Sequence, residues 1–224
     1  MRDSSDRDRR GTGGEDAGAR PGVTRRSFIK TLGASAAATS LAAAVEARAK
    51  ELDGSAAPAI VGPDPVEITL KVNGKAMKAK VEPSATLLET LRVNLGLTGA
   101  KEVCDRGACG ACSVLMDGKV VNSCLTLAMD AVGREITTVE GLARDGKLDP
   151  IQEGFIRHDA MQCGYCTPGF VVASRALLNE RPKPTLEEIK HWLGGNICRC
   201  GTYGNMFNAI LEASGQPVVM DQKA

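Results

Sequence analysis

No apolar run in this chain reaches the ~20 residues that a membrane-spanning helix needs. The candidate stretch, residues 31–45, is about fifteen residues long and mostly alanine. Neither sign of charge dominates, since 28 Lys and Arg stand against 27 Asp and Glu. A concentrated basic face, which nucleic-acid binding requires, is therefore not indicated. No glycine fingerprint for a flavin or nicotinamide lies in a strand–turn–helix context, and there is neither a C-x-x-C-H haem site nor a catalytic triad pattern. The chain alone thus lacks the means for substrate chemistry. Histidine occurs only twice, as His158 and His191. Cysteine occurs eight times in 224 residues, below the density of small disulfide-stapled domains.

Those cysteines fall into two sets of four. Cys104, Cys109, Cys112 and Cys124 have the C-x4-C-x2-C and distal-Cys spacing of a plant-type [2Fe-2S] site, which points to electron transfer. Gly107 and Gly110 let that loop wrap tightly around a small anionic object and aim N–H groups at its sulfurs. The second set is Cys163 and Cys166, then Cys198 and Cys200. Two close pairs suit one small metal centre, because neither pair bridges its own members without backbone distortion. Taken alone, this set fits zinc as well as iron. Beside the plant-type loop, iron is the better reading. A secreted scaffold with four disulfides is the other alternative, and both the spacings and the low cysteine density argue against it.

Periodicity predicts a small α+β unit followed by helices. Residues 66–72 alternate, Asn73-Gly74 is a hairpin turn, and residues 76–81 return. A helix is expected over residues 86–95, with Ser84 as its cap. Short strands at 113–116 and 120–123 flank an Asp117-Gly118 turn, and residues 135–139 offer another. Beyond Gly141 the signals are helical: Pro150 and Pro168 at helix starts, a Thr185-x-x-Glu188 capping box, and a last helix ending at Ala213. Four helices are expected there, with both cysteine pairs at helix ends or turns.

The run from Gln162 through Cys163-Gly164-Tyr165-Cys166 to Gly169, with Gly195-Asn196-Ile197-Cys198-Arg199-Cys200-Gly201, closely resembles the iron–sulfur subunit of the xanthine oxidase family of molybdenum hydroxylases. The first cysteine loop resembles it too, and the likeness runs from about Val66 to Ala213. It implies a β-grasp ferredoxin domain at 65–141 and a small four-helix-bundle [2Fe-2S] domain at 142–215, each cluster held by four of the eight cysteines. It further implies a molybdopterin cofactor held by a separate large subunit, contacted from this chain by Gln162 and by Cys200. Electrons would enter at the second set and leave through the first, toward an FAD-binding subunit or a c-type cytochrome. The substrates implied are aldehydes or heteroaromatic compounds. A free-standing two-cluster ferredoxin shuttle is the alternative, and a zinc or disulfide module without redox function is a third. Many relatives continue after C-R-C with Thr-Gly-Tyr, whereas this chain has Gly201-Thr202-Tyr203. That inversion bears on cluster potential through hydrogen bonds to sulfur, in a direction that the sequence does not give.

Residues 24–30, Thr-Arg-Arg-Ser-Phe-Ile-Lys, form a twin-arginine pattern, and Ala47-Arg48-Ala49 is a small-residue cleavage site. A signal peptide at 1–49, a linker at 50–64, a tail at 216–224 and a periplasmic location are expected. Residues 1–49 hold nine basic and six acidic residues, which leaves 19 basic and 21 acidic and a net charge of −2. A twin-arginine route carries folded cargo, so the thiolates would be committed to iron before reaching an oxidising compartment. Trp192, Tyr165 and Phe170 are read as packing residues, Gly169 as a close-packing residue, and His158 as no ligand, because four cysteines already complete the set.

Overall fold

The computed structural model describes residues 62–218. The expected signal peptide at 1–49, most of the expected linker at 50–64 and the end of the expected tail at 216–224 lie outside the described residues.

β1 (Val66–Val72) buries Ile68, Leu70 and Val72 on one face and pairs antiparallel with β2 (Lys75–Val81). Asn73 and Gly74 turn the chain with φ of 53° and 76°, the left-handed pair that a two-residue hairpin demands. The following helix, α1, spans Leu87–Glu89 and continues as a π-helical segment over Thr90–Asn94. Its cap is Thr86, whose Oγ1 accepts from Glu89 N–H at 3.1 Å, rather than Ser84. The reason is local: Ala85 N–H bonds back to Glu82 O at 2.9 Å, so Ser84 lies inside a turn that precedes the helix.

β3 (Ser113–Met116) and β4 (Lys119–Asn122) form a second hairpin around Asp117 and Gly118, also both at positive φ. β5 (Glu135–Thr137) runs parallel to β1 and antiparallel to β3, giving the sheet order β2-β1-β5-β3-β4. Among the described residues four longer helices follow: α2 (Pro150–Arg157), α3 (Thr167–Glu180), α4 (Leu186–Trp192) and α5 (Tyr203–Ala213). α4 begins with the expected Thr185/Glu188 capping box, and α2 begins with another, in which Asp149 and Gln152 exchange side-chain and backbone bonds.

Two hydrophobic cores lie on opposite faces of β3. Val114 joins Leu70, Leu88, Leu91 and Ile136 between sheet and α1, while Leu115 joins Phe170, Leu177, Met206 and Ile210 among the helices. A strand covered on both sides loses the polar alternation of a half-exposed one, and Ser-Val-Leu-Met shows that loss. The two cores thereby hold the two cysteine sets against one another.

Candidate metal centres

The β3–β4 hairpin positions half of the first quartet. Its register opposes Ser113 to Asn122, so Cys112 and Cys124, just beyond the strand ends, come together. Ser123 locks them by donating its hydroxyl to Cys112 O at 2.7 Å. The loop from Cys104 to Cys109 closes the other side, with Asp105, Gly107 and Gly110 at φ of 50°, 69° and 68°. These turns aim backbone at sulfur: Gly107 N–H donates to Cys124 Sγ and Ala108 N–H to Cys104 Sγ, both at 3.3 Å. All four sulfur-bearing residues line one small space, with Leu88, Lys101 and Val103 beside it.

The second quartet sits where two helices begin. Cys166 is the N-cap of α3, and Cys200 and Cys198 lie two and four positions before the N-cap of α5, Thr202. The partial positive charge of two helix starts therefore lies beside thiolates. Cys198 N–H donates to Tyr203 Oη at 2.8 Å, and its sulfur lies 3.4 Å from Thr202 Oγ1. Gly164 and Gly201 take the positive φ of their turns, 77° and 83°. Cys163 is exposed, Cys166 and Cys200 are partly so, and Cys198 is buried.

Within each quartet hydrogen bonds link Cys104 with Cys109, Cys112 with Cys124, Cys163 with Cys200 and Cys166 with Cys198, while charge also couples Cys104 with Cys124 and Cys163 with Cys198 across those links. A [2Fe-2S] cluster takes two thiolates on each iron, and two pairs suit it. A single zinc ion takes all four at one point, and among the described residues no three His, Cys, Asp or Glu side chains converge as the shell of one ion. The donor sets and their backbone N–H partners thus fit a cluster in each place. Each site also contrasts an easily ionised thiol with a resistant one. The N–H of Arg106, then the bond with Cys109, bring Cys104 down to about 7, while burial, then Cys112, pushes Cys124 up to about 11. Burial opposes ionisation of Cys198, but the Thr202 hydroxyl and nearby N–H groups prevail and bring it down to about 7. Burial, then Cys198, pushes Cys166 up to about 12.

The two loops touch directly. Ile197 N–H donates to Cys109 O at 3.0 Å, and Asn196 Nδ2 donates to Gly110 O at 3.1 Å from a buried position. Gly169, in the first turn of α3, packs on the same peptide, and a Cβ there would overlap Gly110 O. Asn196 carried no signal of this contact, since its partner lies 86 positions away. Gln162 lies at the surface beside Cys163. His158 Nε2 pairs with Glu212. Phe170 is fully buried and Trp192 donates its Nε1–H to Ala173 O at 3.0 Å, whereas Tyr165 is 54% exposed.

Comparison with known proteins agrees with this construction. The family described as "2Fe-2S iron-sulfur cluster binding domain" matches residues 70–142, and that described as "[2Fe-2S] binding domain" matches residues 138–211. The aldehyde oxidoreductase iron-sulfur-binding subunit PaoA of Escherichia coli (strain K12) is 44% identical over 209 residues, covering 87% of this chain and 89% of that one. The nicotine 6-hydroxylase small subunit of Paenarthrobacter nicotinovorans is 50% identical over 153 residues, covering 68% of this chain and 92% of that one. Among solved structures, quinoline 2-oxidoreductase from Pseudomonas putida 86 matches with a TM-score of 0.65 at 42% identity, covering 70% of this chain and 99% of the matched chain. With two [2Fe-2S]-binding domains in this order, and relatives of this identity matched over most of their length, the chain belongs to the [2Fe-2S] subunits of the xanthine oxidase family of molybdenum hydroxylases.

Proposed function

We propose that this chain is the electron-relay subunit of an exported molybdenum hydroxylase that oxidises aldehydes or nitrogen heteroaromatic compounds. The observation that carries the reading is the pair of thiolate quartets, one on a sheet hairpin and one at two helix starts, joined through the peptides at Cys109, Gly110 and Ile197. Bound [2Fe-2S] clusters supply one-electron storage and transfer. The chain's own part is to present Cys104, Cys109, Cys112 and Cys124 at one place and Cys163, Cys166, Cys198 and Cys200 at the other, and to direct N–H donors at their sulfurs. In this reading residues 65–141 are a β-grasp ferredoxin domain and residues 142–215 a four-helix bundle.

The second quartet faces the molybdenum-bearing partner. Met161, Tyr165 and Ile197 surround it with 48%, 54% and 52% of their surface open, an apolar rim that a subunit interface would cover. Gln162 lies within this rim and contacts the pterin across the interface, with Cys200 beside it. The plant-type quartet faces the acceptor, an FAD-binding subunit or a c-type cytochrome. The twin-arginine pattern at residues 24–30 directs the folded chain to the periplasm.

Iron and acid-labile sulfide per purified chain, followed by EPR during stepwise reduction, test the core of the proposal. About four irons with two distinguishable signals are expected. Zinc, one cluster only, or titratable disulfides would refute it. Co-purification of a molybdenum subunit separates the relay from a free-standing shuttle, which would run as a monomer. Changing Arg25 and Arg26 to Lys should abolish periplasmic activity, and unchanged export would sink the localisation.

A further inference from the structure

Thr202 occupies the N-cap of α5, where a threonine hydroxyl ordinarily accepts from the helix's own first N–H groups. Here it makes no capping bond. Its Oγ1 lies instead 3.4 Å from Cys198 Sγ, and both residues are buried, at 8% and 6% exposure. Two thiol or hydroxyl partners could share a proton in either direction, but a metal-bound thiolate has none to give. With Cys198 as a ligand, the hydroxyl must be the donor. Water has little access to offer it another partner. Gly201, at φ 83°, makes the turn that brings the hydroxyl there. The order Gly201-Thr202 matters: a threonine at 201 would sit in left-handed backbone, and a glycine at 202 would have no hydroxyl.

We infer that Thr202 is a positioning residue that raises the reduction potential of the second cluster by donating its hydroxyl hydrogen bond to the Cys198 sulfur. The inference rests on the proposed function, in which Cys198 is a cluster ligand. One electron enters the cluster and its net charge becomes more negative by one, while the hydroxyl proton stays on oxygen. The added charge spreads onto sulfur and strengthens the bond, so the reduced form gains more than the oxidised form. Among the described contacts the first quartet shows no hydroxyl at sulfur: its partners from outside the quartet are the backbone N–H groups of Arg106, Gly107 and Ala108. The effect is thus confined to one cluster. It favours collection of electrons at the site that faces the molybdenum partner.

The test is an EPR-monitored redox titration of the purified, cluster-loaded full chain as wild type, Thr202→Val and Thr202→Ser. At the wild-type midpoint, Thr202→Val should lower the reduced-to-oxidised ratio of one signal about tenfold, which is ~59 mV for one electron. The other signal should stay in place, and Thr202→Ser should titrate like wild type. Because Thr202 makes no capping bond, the valine variant loses no helix cap. Should it fail to load the second cluster, Thr202→Ala against Thr202→Ser makes the same comparison. Four irons with unmoved potentials in the variants lacking the hydroxyl, or equal shifts in both signals, would overturn this role and leave the relay standing. Fewer than four irons in the wild type would overturn both.

Discussion

Gly169 and Asn196 bear on the same peptide, yet their expected losses differ. A Cβ at Gly169 would overlap Gly110 O, and the neighbouring Ala111 Cα is 3.0 Å away, so only backbone movement relieves it. Gly169→Ala is expected to cost upward of about 2 kcal/mol and to reduce iron in both sites, because Gly110 belongs to the first cysteine loop and Gly169 to the helix capped by Cys166. Asn196→Ala removes one bond from a carbonyl that also accepts from Ser113 N–H at 3.2 Å and Ser113 Oγ at 2.7 Å. No acceptor is orphaned, and the loss should be about 1 kcal/mol. Thermal midpoints and iron per chain of the two variants check the order; an equal loss would mean that the Gly169 contact relaxes. Gly169 was legible in the sequence as a close-packing residue, but not what it packs on.

α1 was legible as a helix, while its cap was misplaced, and the two candidates make opposite forecasts. Thr86→Ala should cost about 1 kcal/mol. Ser84→Ala should cost little, because Ser84 makes no cap in the structure. Urea unfolding of both variants decides between them. Hairpins were easier to read: Asn73-Gly74 and Asp117-Gly118 announce left-handed turns by residue type alone, and both adopt them. The joining of α2 to α5 was not readable. Arg157 and His158, at the end of α2, both reach Glu212 near the end of α5, with Arg157 Nε at 2.6 Å. The hydrogen bond from His158, then the Arg157 charge, hold Glu212 below its ordinary 4.5. A depressed carboxylate stabilises the fold above its unfolded value and loses that contribution as pH falls through its folded value. The thermal advantage of wild type over Glu212→Gln should therefore be present at pH 7, begin to shrink as pH falls past the ordinary 4.5, and be lost once pH has passed the depressed folded value. Glu212 is partly exposed, so the difference should stay under about 1 kcal/mol.

The whole chain from Val66 to Ala213 works as a joined pair of sites, because β3 is covered on both faces. A fragment of residues 65–141 would expose Leu115 and leave Gly110 without Asn196. It should melt at a lower temperature than the full chain; equal melting would mean that the helical half contributes nothing to the first site. The division of the eight cysteines into two sets of four, each on turns, was open to reading from the chain, because cysteine spacing and turn-forming residues act over a few positions. So were the four helices and the Thr185/Glu188 capping box, though not the caps of the other three. The meeting of Cys109 with Ile197, the burial of Leu115 among helices and the turning of Thr202 toward Cys198 were decided by tertiary structure. The first two join groups far apart along the chain. The third depends on which way a buried hydroxyl points once the second quartet has closed around it.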